Sequence, residues 1–132
     1  MNGRFVGHDE APKEQLPWGE LAWVSQPTTT QTKNLVVIAV DLLPGEGHNF
    51  HKHPQQEEVI YVLDGEVEQW IETEKRRLGP GDAAFIDRDT VHASFNTGGK
   101  NVRLLAILGP AVGEAGYELV DVSEDAPWSG LR

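Results

Sequence analysis

The chain has 132 residues, 39% hydrophobic and 24% charged, which suits one folded domain with a single core. Eleven basic against 21 acidic residues give a formal net charge of −10, a field that repels a nucleic-acid backbone or an anionic membrane surface. There is no cysteine, so disulfides, thiolate metal sites and thiol nucleophiles are excluded.

Met1 to Glu10 lacks the apolar stretch of a signal peptide, and the longest purely apolar run, Leu35 to Val40, is six residues. That is too short to cross a membrane, and a cytoplasmic location is expected. Residues 1–15 carry charge and proline but little to bury, and read as a loose N-terminal arm; residues 16–132 read as the folded domain. Strands are expected at Glu20–Ser25, Leu35–Leu43, Glu58–Leu63, Glu66–Ile71, Ala83–Ile86, His92–Asn96, Val102–Leu108 and Tyr117–Val122, all rich in residues that suit a half-buried pleat. Gly- and Pro-containing segments separate them, among them Pro44-Gly45-Glu46-Gly47 and Gly79-Pro80-Gly81-Asp82. Asp64-Gly65, between two apolar runs, predicts a hairpin through a type I′ turn. The only helical candidates, Asp9–Leu16 and Ser123–Trp128, are each interrupted by proline. Frequent turns without a long helical period predict an all-β sandwich or barrel in one domain.

The chemistry concentrates in Gly45 to Glu58. In a strand, side chains at i and i+2 share a face, so His51 and His53 aim into one space about 7 Å apart along the strand. Pro54-Gln55-Gln56 can turn the chain, and Glu58 opens the next strand with a carboxylate able to return to the same point. A later histidine, His92, begins its own strand. Three imidazoles and a carboxylate suit one divalent Fe, Mn, Ni, Co, Cu or Zn ion per chain, whereas Ca²⁺ would want more oxygen ligands.

These residues fall into a known pattern. The motif G-x5-H-x-H-x4-E-x6-G lies on Gly45, His51, His53, Glu58 and Gly65, and a second, G-x5-P-x-G-x2-H-x3-N, on Gly81, His92 and Asn96. Two positions depart from the second motif: Asp87 stands for proline and Asp89 for glycine. Asp tolerates turns and left-handed backbone, so the same loop is expected from different residues. The sequence thus resembles the cupin superfamily, as a small single-domain member. The resemblance implies an all-β jelly-roll β-barrel, the double-stranded β-helix, with an ion near its mouth held by His51, His53, Glu58 and His92. It implies either a metal-dependent enzyme on a small organic acid, phenol or sugar derivative, or a non-catalytic metal-dependent binding or sensing module. Among enzymes, dioxygenase chemistry comes first and isomerase or lyase chemistry second. The metal-free sugar epimerase type is disfavoured because the full ligand set is present. The ligand is expected to be a small molecule, with anionic ones favoured by the metal's residual charge. A homodimer is expected too, with neither nucleic acid nor membrane as partner.

Strand alternation puts Ile60 and Val62 on the Glu58 side, and Ser94 and Asn96 on the His92 side, as pocket-lining candidates with Gln69. Tyr61, Trp70 and Phe85 are expected to pack in the core. Trp18, Trp23 and Trp128 are expected to cover the barrel's outside or a subunit interface. His48, at odd spacing from His51, reads as a surface or loop residue; His8 falls in the arm. Gln56 and Glu57 read as a solvated turn.

Overall fold

The computed structural model describes residues 2–132 and places eleven strands in two antiparallel sheets that face each other. In chain order the strands are β1 (Lys13–Leu16), β2 (Gly19–Ser25), β3 (Val36–Leu42), β4 (Gly47–Lys52), β5 (Glu57–Asp64), β6 (Val67–Ile71), β7 (Glu74–Leu78), β8 (Ala83–Ile86), β9 (His92–Phe95), β10 (Val102–Gly109) and β11 (Val120–Asp121). One sheet has six strands in the order β1-β2-β3-β10-β5-β8, the other five in the order β11-β4-β9-β6-β7. This is the jelly-roll arrangement of a double-stranded β-helix. No helix among the described residues is long and apolar enough to cross a membrane.

Alternation along the strands builds the core. Val36, Ile38, Val40 and Leu42 of β3 point inward, and Val102, Leu104, Ala106 and Leu108 of β10 meet them across the ladder. The outer face of the five-stranded sheet has its own cluster. There Phe50, Trp70, Ala93 and Phe95 are covered by Val122, Trp128 and Leu131 of the C-terminal segment.

Three local expectations change. Asp64-Gly65 makes no hairpin: β5 pairs with β10 and β8, whereas β6 pairs with β9 and β7. The turn carries the chain from one sheet to the other, and of its two residues only Gly65 takes positive φ, at 80°. A Cβ on Gly65 would also sit 3.1 Å from Asn101 O, so the crossover needs glycine on both counts. Neither helical candidate forms as such. Lys13–Leu16 pairs with β2 instead, and near the second a short 3₁₀ turn spans Trp128–Gly130. A four-residue helix, Pro27–Thr30, appears where none was expected. The last expected strand, Tyr117–Val122, shortens to Val120–Asp121 because the residues before it form a loop over the barrel interior.

Of the aromatics expected in the core, Trp70 is buried, but Tyr61 and Phe85 lie exposed on the outside of the six-stranded sheet. Conversely, Trp23 belongs to the core and Trp18 packs against it. Odd and even positions of β5 and β8 face opposite ways, so inward Ile60 and Ala84 force Tyr61 and Phe85 out.

Candidate metal centre

Two strands deliver the first imidazoles. His51 of β4 pairs directly with His92 of β9, and their ring centroids are 4.2 Å apart. His53 follows β4, with its ring 5.1 Å from that of His51 and 5.2 Å from that of His92. One ring nitrogen from each of the three lies within 4.8 Å of the others, and all three residues are buried. Glu58 comes from the opposite sheet. Its register partners Leu108 and Ile86 are apolar, so its carboxylate stands at an inward position of an otherwise apolar row.

Hydrogen bonds fix how the rings present themselves. His51 Nδ1 donates to Asn49 O at 2.6 Å, His53 Nδ1 to Glu118 O at 2.8 Å and His92 Nδ1 to Thr90 O at 3.0 Å. A carbonyl only accepts, so each Nδ1 carries the proton, and in the neutral ring Nε2 is left as a bare lone pair. Glu58 Oε1 lies 2.8 Å from His92 Nε2 and 3.3 Å from His53 Nε2. Even so, Glu58 Oε1 and His92 Nε2 are buried without a well-directed hydrogen bond. Buried polar atoms left in this way call for a partner. A divalent ion is one that imidazole and carboxylate donors fit, and the backbone carbonyls supply the outer contacts that orient such ligands.

The electrostatics follow from burial and this clustering. Burial, with the neighbouring histidines, pushes His51 well below the ordinary imidazole range. Burial alone would raise Glu58, but His92 and His53 beside it hold it well below the usual carboxylate range. For His92 burial works downward and the Glu58 carboxylate upward, and the carboxylate prevails. Beside the ionised Glu58, any proton held at His92 Nε2 is what an arriving cation would displace.

A cavity of about 40 Å³ adjoins the cluster. Its floor is apolar, from Leu21, Val40, Leu42, Ile60, Leu104 and neighbours; Ser94, Tyr117, Trp18 and His48 complete it. Of the pocket-lining candidates, Ile60 and Ser94 lie in this wall. Val62, fully buried, packs in the core beside Leu104. Gln69 sits one layer behind, its Oε1 accepting the Ser94 hydroxyl at 2.6 Å. The Asn96 amide ties Leu42 O and Lys100 O together, closing the loop after β9.

Four residues gain roles the sequence did not suggest. His48 faces inward, stacked on His51 at 3.7 Å and 13° and on Trp18 at 4.7 Å and 15°. The cause is a bulge: His48 pairs with Ser94 and His51 with His92, three residues on β4 against two on β9, so the odd spacing restores the same face. Enclosure pushes the His48 imidazole down to about 4. Trp18 thus belongs to the cavity rather than the outer surface; its carbonyl is held by Leu43 N at 3.0 Å. Gln56, expected in a solvated turn, is 1% exposed. Its Nε2 donates to Pro110 O at 2.8 Å and Gly116 O at 2.9 Å, and its Oε1 accepts from Glu118 N at 3.2 Å. This clasp holds the loop that brings Tyr117 to the cavity and the Glu118 carbonyl to His53. Burial raises the Tyr117 phenol to about 12, so it stays protonated and able to donate.

At the second motif's departure, Asp89 takes the left-handed conformation with φ 60°, as glycine would. Its amide donates to His53 O at 3.0 Å, and its carboxylate pairs with Lys52 at 3.1 Å. Asparagine and aspartate tolerate this backbone through local polar contacts, so the loop keeps its shape.

Similar proteins agree with this architecture. The chain is 32% identical to Protein SchB of Streptomyces halstedii over 125 residues, 94% of this chain and 90% of that protein. It is 28% identical to the polyketide synthase CurC of Streptomyces cyaneus over 131 residues, 95% of this chain and 84% of that protein. Among solved structures, KdgF from Halomonas sp. superposes with a TM-score of 0.73 at 25% identity, covering 83% of this chain and 96% of that one. Residues 39–108, more than half of the chain and both histidine motifs, match the cupin domain profile, and the protein is a member of the cupin family.

Proposed function

We propose that this protein is a metal-dependent enzyme acting on a small organic molecule, holding one divalent transition-metal ion through His51, His53, His92 and Glu58. The observation that carries this reading is the set of Nε2 lone pairs, each freed by an Nδ1–carbonyl hydrogen bond, gathered around a buried carboxylate. With three neutral imidazoles and one carboxylate a divalent ion keeps net positive charge and open positions, and so supplies Lewis-acid or oxygen-activating chemistry. We place dioxygenase-type chemistry first and isomerase or lyase chemistry second. The chain's own residues orient and shield. The apolar floor excludes water, Trp18 and His48 wall one side, and the protonated Tyr117 hydroxyl donates to an oxygen of the bound molecule. Beyond the four ligands, His48 and Tyr117 are the titratable groups in the lining. This thin acid–base supply is what favours the second reading, a non-catalytic binding or sensing module.

Metal per chain, measured on untagged protein for wild type, His51→Ala and Glu58→Ala, tests the proposal. We expect close to one transition metal per wild-type chain and loss in both variants, followed by substrate-dependent oxygen uptake for a redox metal. Protein that is empty and refuses added metal ends this reading. Loaded protein without turnover on any ligand it binds supports the binding module.

We further propose a cytoplasmic homodimer, joined through the outside of the six-stranded sheet. Two rows cross it, Ala39–Leu105–Tyr61–Ala83 and Val37–Ile107–Val59–Phe85, with no charge in either. In a protein of net charge −10, a second copy meeting these two uncharged rows avoids like-charge contact there. Sedimentation of wild type as a dimer and of Phe85→Lys as a folded monomer is the expected result; a wild-type monomer at micromolar concentration sinks the idea.

A further inference from the structure

The chemistry of the lining discriminates among ligands. None of the residues around the cavity is lysine or arginine. The cations nearest in sequence are engaged outside it, Lys52 with Asp89 and Arg103 with Asp41. A dicarboxylate or sugar acid would therefore bring negative charge beside Glu58 with no guanidinium or ammonium to receive it.

Hydroxyl-rich ligands fare no better, because most polar atoms here are already committed. The Ser94 hydroxyl donates to Gln69, and the Nδ1 atoms of His51, His53 and His92 are bound to backbone carbonyls. Apart from the donor atoms of the metal cluster, the lining groups without a hydrogen-bond partner among the described residues are Tyr117 Oη, the His48 ring and the Trp18 indole N–H. Each buried hydroxyl left unmatched costs about tenfold in affinity. The remaining surface is flat or apolar. Trp18, His48 and His51 form a near-parallel ring stack along one side, and Ile60, Leu104 and Ala106 lie opposite on the other sheet. At about 40 Å³ the enclosed space holds only a few waters, so the body of a ligand must reach the mouth, where Trp18 stands half-buried.

We infer that the site selects a flat, otherwise uncharged and apolar molecule with one ionisable oxygen, a phenol or an enol, rather than a dicarboxylate or a sugar acid. The ionisable oxygen sits at the His–Glu end, Tyr117 Oη donates to a neighbouring carbonyl oxygen, and the ring or chain lies along the edges of the Trp18–His48–His51 stack. This inference rests on the metal-centre reading, and it narrows the expectation of an anionic ligand to a single oxygen.

The test uses the whole untagged protein loaded with zinc, its metal content measured before and after titration. Binding of 2-hydroxyacetophenone, oxalate and D-galacturonate is followed by calorimetry for wild type, Trp18→Ala and Tyr117→Phe. We expect 2-hydroxyacetophenone to bind at least about tenfold tighter than either acid. Trp18→Ala should weaken it about tenfold, through lost apolar contact along the edge of the ring stack, with zinc content unchanged. Tyr117→Phe should weaken it by a smaller factor. Oxalate or galacturonate binding as tightly as the phenol overturns the inference, as does equal phenol affinity in wild type and Trp18→Ala, which would mean bare chelation. Protein that takes up no zinc overturns the metal-centre reading instead. The ranking is then measured on the zinc-free protein, where preference for either acid still refutes the selection and preference for the phenol upholds it.

Discussion

The two walls of the barrel interior are built from one strand pattern and do opposite things. On the six-stranded side, inward positions of β2, β3, β5 and β10 are filled with Leu, Ile, Val, Ala and Trp23, and Glu58 is the single carboxylate among them. On the five-stranded side, inward positions of β4 and β9 carry His48, His51, His92 and Ser94, and the apolar groups Phe50, Ala93 and Phe95 turn outward instead. Period-two alternation allows both, since it fixes that neighbours face apart but not which face is polar. The polar wall is tolerated because the C-terminal segment covers its outer face, giving that sheet a second core. One wall thus supplies packing energy and the other donor atoms, and substitutions in each should fail in different ways.

The largest contrast is expected at the pair His92 and Ile60. His92→Ala should lower metal affinity by about a thousandfold, roughly 4 kcal/mol, with modest change in metal-free stability, read by metal competition and chemical denaturation. Ile60→Ala should instead cost about 3 kcal/mol of stability, the range of buried large-to-small changes, and retain metal within a few fold. If Ile60→Ala lost the metal while His92→Ala unfolded, the division of labour between the walls would be wrong. Gln56→Ala comes next. Removing the clasp frees the loop that orients His53 through Glu118 O, for which we expect a ten- to hundredfold loss in metal affinity, the scale of outer-contact changes. Gln56→Glu should restore less than half of that, because a carboxylate cannot donate to Pro110 and Gly116 carbonyls. Unchanged metal affinity in both would show that the loop positions nothing. The smallest effect is expected at Asp89→Gly. Relief of left-handed backbone, about 1 kcal/mol, is offset by loss of the half-exposed pair with Lys52, worth at most about 1 kcal/mol. Melting and metal content should both stay near wild type, and a large loss in either would mean that the Asp89 carboxylate does more than turn the chain.

Much of this architecture is legible in the amino-acid sequence. The all-β class follows from turn density and strand composition, and cupin membership from residues at fixed spacing, Gly45 to Gly65 and Gly81 to Asn96. Seven of the expected strands appear close to their predicted bounds, because those runs are long enough for local pattern to speak. Weakly apolar edges are invisible to such a pattern. β7, with Glu74, Lys75, Arg76 and Arg77 exposed, carries almost no hydrophobic signal and exists because β6 offers it a ladder. The Asp64-Gly65 turn misleads because a hairpin and a sheet-to-sheet crossover present the same local residues; only distant partners of β5 and β6 distinguish them.

The sequence by itself determined which donors exist and on which local face, since i and i+2 share a face wherever the pleat is regular. It also determined that no thiol takes part, and that Asp89 can stand where glycine is usual. Tertiary structure alone decided that His48 joins the interior and that Gln56 becomes a buried clasp. It also decided that Trp18 walls the cavity and Tyr61 does not. The reason is physical: a bulge, a crossover and a loop docked 54 to 62 residues away from its anchor depend on long-range partners, and no local period encodes them.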